Sequence, residues 1–193
     1  MTSTPAGVSR RLYGPVVLAL LACGGLAFLA ASRTWVEATV RAEGLPPDRI
    51  EVTGTDAQPL VPALALVVVT AGLAVLAASV RVRWIVGVLL VVVGLGAALI
   101  VLTGGSAIDS TLANAVRDSS AFTGDNAPEA GRSVVWPAVA ATAFVLAAML
   151  GVLVLRMASS WPTMGSRFEA PARQAETEGD LWSALDEGRD PTE

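Results

Sequence analysis

The sequence predicts an all-α integral membrane protein: a bundle of four transmembrane helices with a small external cap and a largely disordered cytoplasmic tail. Three observations predict this fold class. Only 16% of the 193 residues are charged, whereas soluble domains have about 25%. The charges are absent from four long apolar blocks, and arginine and aromatic residues gather at the ends of those blocks. Segments surrounded by lipid have this pattern.

The four apolar blocks are 12–32, 59–79, 84–103 and 134–155, and none contains Asp, Glu, Lys, Arg or His. A helix needs about 20 residues to cross the hydrocarbon layer, so each block is long enough for one span. Arg10 and Arg11 precede the first block, as they would in a cleaved signal peptide. Because its apolar run exceeds the roughly 7–15 residues of a signal peptide, we interpret it as an uncleaved helix.

The arginines at the span ends predict the orientation. Five lie on one side and two on the other: Arg10, Arg11, Arg81, Arg83 and Arg156 against Arg33 and Arg132. Cytoplasmic segments carry the excess of basic residues. We therefore expect a multi-pass plasma-membrane protein with both termini in the cytoplasm. The N-terminus 1–11, the link 80–83 and the tail 156–193 would lie inside, and loops 33–58 and 104–133 outside.

Aromatic residues lie at or just beyond the predicted helix ends. They are Tyr13, Trp35, Trp84, Trp136 and Trp161. Rings that combine an apolar body with a polar atom prefer the headgroup level of a bilayer. We predict that all five are interfacial anchors.

Small residues at helical spacing predict how the spans pack, because apolar surface gives no drive for helices to associate within lipid and close backbone approach becomes important. The stripes are Ala19, Cys23, Ala27 and Ala31 in the first span, Thr70, Ala74 and Ala78 in the second, Gly87, Gly94 and Ala98 in the third, and Ala143, Ala147 and Gly151 in the fourth. They indicate one compact bundle. We interpret the lone cysteine, Cys23, as a packing residue and not as a redox centre.

The first external loop alternates like a strand. Val36, Ala38 and Val40 are separated by polar residues, and the alternation resumes at Ile50 and Val52 after a Gly/Pro turn. This pattern predicts a β-hairpin. An isolated hairpin is marginal in water, so we expect it to pack on another element, such as the second loop.

The second external loop has a short apolar face at helical spacing, formed by Leu112, Ala113 and Val116. It predicts a short amphipathic helix over 109–119, which Phe122 could extend. The remainder, 124–132, is turn-like. Its acidic residues show no ligand spacing, so we predict no metal site and no cofactor.

The tail is rich in Pro, Glu and Asp, a composition that does not supply a folded core. The sequence of one segment in this tail, 180–188, predicts two helical turns with Leu181, Trp182 and Leu185 on one apolar face. It is too short to persist as a helix alone, so it is a candidate contact for an unidentified cytoplasmic or membrane protein partner. Docking on its own membrane domain and disorder are the alternatives.

Short segments along nearly the whole chain carry a family resemblance: 32–35, 52–59, 83–96, 161–168 and 180–192. The most specific are Trp-Pro-Thr-Met-Gly-Ser-Arg-Phe at 161–168 and Leu-Trp-Ser-Ala-Leu-Asp at 181–186. The set resembles the actinobacterial tryptophan-operon-associated transmembrane protein family. The resemblance implies four spans and genes that lie among those for tryptophan biosynthesis. It implies no reaction, and members often have tyrosine where this chain has Phe168.

The composition argues against two classes of function, nucleic-acid binding and enzymatic catalysis. The net charge of −4 is concentrated in the acidic tail, so no basic surface recommends nucleic acid as a partner. An enzyme would need a nucleophile, acid or base in a defined pocket, and the four blocks contain no ionisable group apart from Cys23 and Tyr13. We predict a non-enzymatic scaffold or accessory subunit associated with tryptophan biosynthesis. The alternative is a transporter or exporter of tryptophan, indole or a related metabolite, which four spans would form as a homo-oligomer.

Overall fold

The computed structural model describes residues 6–44, 46–124, 126 and 128–159. In chain order, the elements of this part are α1 (Ala6–Ala31), β1 (Thr34–Val40), β2 (Asp48–Thr53), α2 (Gly54–Ala57), α3 (Leu60–Ala77), α4 (Val80–Thr103), α5 (Gly105–Arg117), β3 (Glu129–Arg132) and α6 (Val135–Met157). The four long helices α1, α3, α4 and α6 form a bundle. The shorter elements form a cap at one end of it.

The four long helices are long and apolar enough to cross a membrane, with mean hydropathies from 2.2 to 3.1. The prediction of four spans is confirmed. The predicted link 80–83 is wrong, because α4 begins at Val80 and only Ala78 and Ser79 separate it from α3. Ser79 has the extended backbone of a residue that precedes a helix, and arginine is a good helix former, so the basic residues join the first turns of α4.

Close backbone approach joins α4 to α6. A methyl group on Gly94 would lie 2.6 Å from the carbonyl oxygen of Phe144, and one on Gly151 would lie 2.8 Å from Cβ of Leu90. The predicted stripes of both spans are buried here. Small residues at these positions therefore permit the contact, as expected for helices packed within lipid.

The stripe predicted for the second span is wrong for two of its three residues, since only Ala78 is buried. Thr70 and Ala74 are exposed, and α3 instead buries a face that includes Val61, Ala65 and Val68. The hydroxyl of Thr70 donates to the carbonyl oxygens of Leu66 and Val67 in its own helix, both at 3.0 Å. A threonine satisfied in this way does not need a partner on another helix.

The cap is built on a three-stranded antiparallel sheet with strand order β2-β1-β3. The predicted hairpin is confirmed, with Ala38 opposite Ile50. Ala38 also lies opposite Ala130 of β3, so the prediction that 124–132 is turn-like is wrong for Glu129–Arg132. These four exposed residues have no alternating pattern of their own, and pairing with the edge of β1 makes them a strand.

Helix α5 covers one face of this sheet. Val40, Val116 and Ala121 are buried in a small cluster, to which Leu112 and Phe122 add. The predicted short helix is present, although it begins earlier and Ala113 is exposed. Asn126 ties the two loops together, because its side-chain amide donates to the carbonyl oxygens of Arg41 (2.9 Å) and Ala121 (2.7 Å).

The sheet also determines which ends of the bundle lie together. Because β1 belongs to the loop after α1 and β3 to the loop before α6, their pairing places both loops at one end of the bundle. The α3–α4 link, the start of α1 and the end of α6 lie at the opposite end.

Candidate functional site

Trp35 connects the cap to the bundle. It lies where the register between β1 and β2 shifts, and this irregularity lets both Trp35 and Val36 point inward. Its indole Nε1 donates to the carbonyl oxygen of Ala30 at 2.9 Å, and its ring is 1% exposed. We predicted an interfacial anchor at this position; the ring is instead buried inside the protein.

Gly54 permits this packing. A methyl group there would lie 2.5 Å from the Trp35 ring. The neighbouring helix α2 starts with a capping box, in which Thr53 Oγ1 accepts from the Asp56 N–H and the Asp56 carboxylate accepts from the Thr53 N–H. The sequence Thr-Gly-Thr-Asp at 53–56 carries the signal for such a cap, so α2 could have been predicted.

Gln58 is a buried polar residue that the sequence reasoning missed. It is 5% exposed, and its side-chain nitrogen and oxygen have no hydrogen-bond partner among the described residues. Its amide packs against Gly104, where any side chain would collide with it. A buried amide without a hydrogen-bond partner lowers the free energy of unfolding. The contact of Gln58 with Gly104 is therefore an unusual feature of the turn between α4 and α5.

A polar cleft lies beside Trp35 at the outer surface of the junction. Its volume is about 360 Å³, and it is lined by Thr34, Trp35, Val36, Glu37, Gly131, Arg132, Ser133 and Trp136. The guanidinium carbon of Arg33 lies 5.4 Å from the centre of the Trp136 ring, which is a cation–π geometry. Arg132 forms an ion pair with Asp109 of α5.

An apolar groove of about 280 Å³ adjoins the cleft, and the two share Trp35, Val36, Arg132 and Ser133 as lining residues. The groove continues between the end of α4 and the start of α6, along Val101, Leu102, Ile108, Val134, Pro137 and Ala138. The junction thus presents a polar and an apolar compartment side by side.

A second apolar crevice opens between α1 and α6 within the membrane-spanning region. It has a volume of about 370 Å³ and is lined by Cys23, Leu26, Val135, Ala138, Val139, Thr142, Ala143 and Leu146. Its two polar side chains are those of Cys23 and Thr142. Crevices of this size are within the range of small-molecule sites.

The opposite end of the bundle is joined by Tyr13 and Arg83. The Tyr13 hydroxyl lies 3.0 Å from the carbonyl oxygen of Val75 and 2.9 Å from that of Leu76, so it is positioned to donate to the end of α3. The guanidinium of Arg83, which is 1% exposed, stacks 5.2 Å from the Tyr13 ring. Tyr13 therefore links three helices, a role beyond the predicted one of interfacial anchor.

A family model described as tryptophan-associated transmembrane protein matches residues 17–192. The chain belongs to this family. No curated protein matches the chain. Membership in the tryptophan-associated transmembrane family confirms the resemblance drawn from segments along nearly the whole chain, and it agrees with the four apolar helices.

The remaining predicted site residues divide into two groups. Trp84 is exposed in the first turns of α4, and Trp136 is partly buried in the first turn of α6 beneath Arg33. That these two residues anchor the protein at the membrane interface stays a prediction. The candidate partner contact and the last anchor lie outside the described residues. They are Leu181, Trp182, Leu185 and Trp161.

Proposed function

We propose that the protein is a non-enzymatic scaffold or accessory subunit for tryptophan biosynthesis in the plasma membrane, with both termini in the cytoplasm. The observation that carries the proposal is the tight contact between α4 and α6. At Gly94 and Gly151 the two backbones are too close for even a methyl group. A bundle held together in this way serves as a rigid platform for the cap and the tail.

The distribution of charge supports this proposal over gradient-driven transport. Ion-coupled carriers normally place charged side chains or broken helices near the middle of the membrane. In α3, α4 and α6 the charged residues are Arg81, Arg83 and Arg156, and all three lie in the first or last turns of their helices. No ionisable side chain is therefore available at the midplane of these three helices to couple an ion to a cargo.

The proposed orientation rests on the shared cap. With both loops at one end of the bundle, Arg81 in the first turn of α4 lies at the other end, together with Arg156 in the last turn of α6. Basic residues prefer the cytoplasmic side. A cysteine at Asp48 in a Cys23→Ala background should therefore react with an impermeant thiol reagent in intact cells, whereas one at Glu178 should not. The reverse labelling pattern would invert the orientation.

The cytoplasmic contact in this proposal is the tail segment 180–188, for which the sequence predicts that Leu181, Trp182 and Leu185 share one apolar face. Truncating an interface tryptophan can cost about 2 kcal/mol or more, roughly a thirtyfold loss in affinity. Trp182→Ala should therefore remove the enzymes of tryptophan biosynthesis from a native pull-down while the amount of membrane-inserted protein stays unchanged. Trp161→Ala is the matched control, because a belt residue contributes to anchoring and not to partner recovery. Equal enzyme recovery by Trp182→Ala and wild type would refute this assignment.

The second candidate function is passage of an apolar metabolite such as indole, and the crevice between α1 and α6 favours it. Its lining suits a flat apolar molecule with one polar atom, which Cys23 or Thr142 could contact. An apolar cargo would need no charged site, so the charge argument against ion-coupled transport does not apply to it.

Liposomes containing the purified protein separate the two functions. The scaffold proposal predicts no tryptophan uptake driven by a proton or sodium gradient, and no indole flux above that of protein-free liposomes. If the crevice conducts indole, Thr142→Phe should reduce the flux. Thr70→Phe, on the exposed face of α3, should leave it unchanged.

A further inference from the structure

Arg33 has an oriented guanidinium with donors to spare. Its face is stacked on the Trp136 ring, with 5.4 Å between the guanidinium carbon and the ring centre. Its side chain makes no hydrogen bond or ion pair with another residue in the part of the chain that the structure describes. Stacking occupies the face of the group and leaves the N–H donors at its edge, which match the oxygens of a phosphate.

A second arginine lines the cleft, as does the Trp136 ring on which Arg33 stacks. Arg132 lines both the polar cleft and the apolar groove. Its partner Asp109 contacts the Nη2 atom, and the side chains of both residues are 55% exposed. The acidic residue in the cleft, Glu37, is itself paired with Arg49 at 2.9 Å. Among the described residues beside the cleft, the Arg33 guanidinium therefore has no carboxylate partner, and the Glu51 carboxylate, which accepts from the Thr34 hydroxyl at 3.2 Å, is not paired with it.

The groove extends from this cleft onto an exposed apolar surface. Leu102 and Val134, which line it, are 72% and 77% exposed; Leu102 is in the last turn of α4, and Val134 immediately precedes α6, so both are at the ends of helices long and apolar enough to span a membrane. An occupant of both compartments needs a negative headgroup joined to an apolar chain. At the end of a span, the molecule with that chemistry is a phospholipid of the surrounding bilayer.

We propose that the junction of cap and bundle is a binding site for one anionic phospholipid, with the phosphate held by Arg33 and Arg132 and one acyl chain in the groove along α4 and α6. Trp136 is a positioning residue, because it holds the Arg33 guanidinium in place through its ring. Trp35 forms the wall between the headgroup and the bundle interior.

Native mass spectrometry of the purified protein tests the proposal, with phosphatidylglycerol and phosphatidylcholine of identical acyl chains as probes. Wild type should bind phosphatidylglycerol more tightly, because the choline cation opposes a guanidinium. Arg33→Gln removes the charged donor of the hydrogen bond to the phosphate, so it should weaken phosphatidylglycerol binding about tenfold or more. It should also remove most of the preference for phosphatidylglycerol over phosphatidylcholine. Trp136→Leu should weaken it about two- to fivefold, the range of an exposed cation–π contact.

Matched controls separate this site from general attraction of lipid to arginine. Arg41 is also on the cap, where it pairs with Glu129, and it does not line the cleft. Arg41→Gln changes the net charge by the same amount and should leave the affinity within twofold of wild type. Soluble glycerol phosphate should not displace the lipid, because it cannot occupy the groove.

Three results would overturn the proposal. They are equal binding of the two lipids by wild type, equal losses in Arg33→Gln and Arg41→Gln, and an Arg33→Gln affinity that matches wild type. Displacement by glycerol phosphate at concentrations comparable to the lipid would replace the lipid with a free phosphate compound as the occupant. Circular dichroism of each variant confirms that the helices are intact, which is expected because Arg33 is exposed.

Discussion

The contact between α4 and α6 allows a sharp test of what holds the bundle together. Gly94 and Gly96 lie on the same helix, two residues apart. A methyl group on Gly94 would lie 2.6 Å from the Phe144 carbonyl oxygen and 2.9 Å from the Ala148 backbone nitrogen, whereas one on Gly96 would meet nothing within 4 Å. Because the crowded atoms belong to the backbone, α6 itself would have to move to accept an alanine at Gly94.

The expected difference in stability between Gly94→Ala and Gly96→Ala follows from two opposing effects. Replacing glycine by alanine inside a helix gains about 1 kcal/mol of helix propensity, and both variants share that gain. Overpacking of a tight contact costs about 1–3 kcal/mol, and only Gly94→Ala has this cost. Gly94→Ala should therefore be less stable than Gly96→Ala by about 1–3 kcal/mol, while Gly96→Ala should equal or exceed wild type.

Equilibrium unfolding in mixed micelles, with a rising fraction of sodium dodecyl sulfate and tryptophan fluorescence as the signal, measures this difference. The comparison between the two variants is the decisive quantity, because the unfolded micellar state is common to both. A Gly94→Ala protein at least as stable as Gly96→Ala would refute the close approach of α4 and α6 and, with it, the observation on which the scaffold proposal depends.

Three further predictions concern hydrogen bonds. Trp35→Phe should lower the free energy of unfolding by about 0.5–1.5 kcal/mol, because it removes the indole donor to the Ala30 carbonyl oxygen and leaves the longer bond from the Arg33 N–H at 3.3 Å; thermal unfolding measures the loss, and an unchanged midpoint would contradict it. Asn126→Ala should speed proteolysis of the cap, since the bonds between the two loops are lost, whereas the exposed Asn114→Ala should cleave at the wild-type rate. Tyr13→Phe should destabilise the bundle by about 1 kcal/mol in the micellar assay, and no change would indicate that its hydroxyl is solvated.

Hydropathy alone was sufficient for the spans because the requirement is local. A segment that crosses lipid must satisfy every backbone polar group within itself, so an uncharged run such as 134–155 identifies a helix without reference to the rest of the chain. The first strand is another local feature, since alternation at Val36, Ala38 and Val40 was visible in the sequence and is present in the sheet. The boundary at Val80 was missed because arginine is compatible with both a link and a helix.

The inward faces of the spans were only partly predictable. In lipid, the exposed face and the buried face of a helix are both apolar. The sequence of α3 therefore has no polar face that would mark its exposed side, and Thr70 and Ala74 were assigned to the wrong face. The stripes of α4 and α6 were correct because glycine at a contact has a steric reason. Gly87, Gly94 and Gly151 each face a neighbour too close for a side chain.

The sequence by itself determined the membrane class, the four spans, the hairpin and the family, because each depends on properties of short continuous segments. Only the tertiary structure decided that Glu129–Arg132 completes the sheet, that Trp35 is buried, and that Arg33 stacks on Trp136. Arg33 and Trp136 are separated by about a hundred positions in the chain, and no local pattern records that they meet. They come together because pairing of β1 with β3 brings the end of α1 and the start of α6 to the same side of the bundle, and pairing between distant strands is a property of the whole fold.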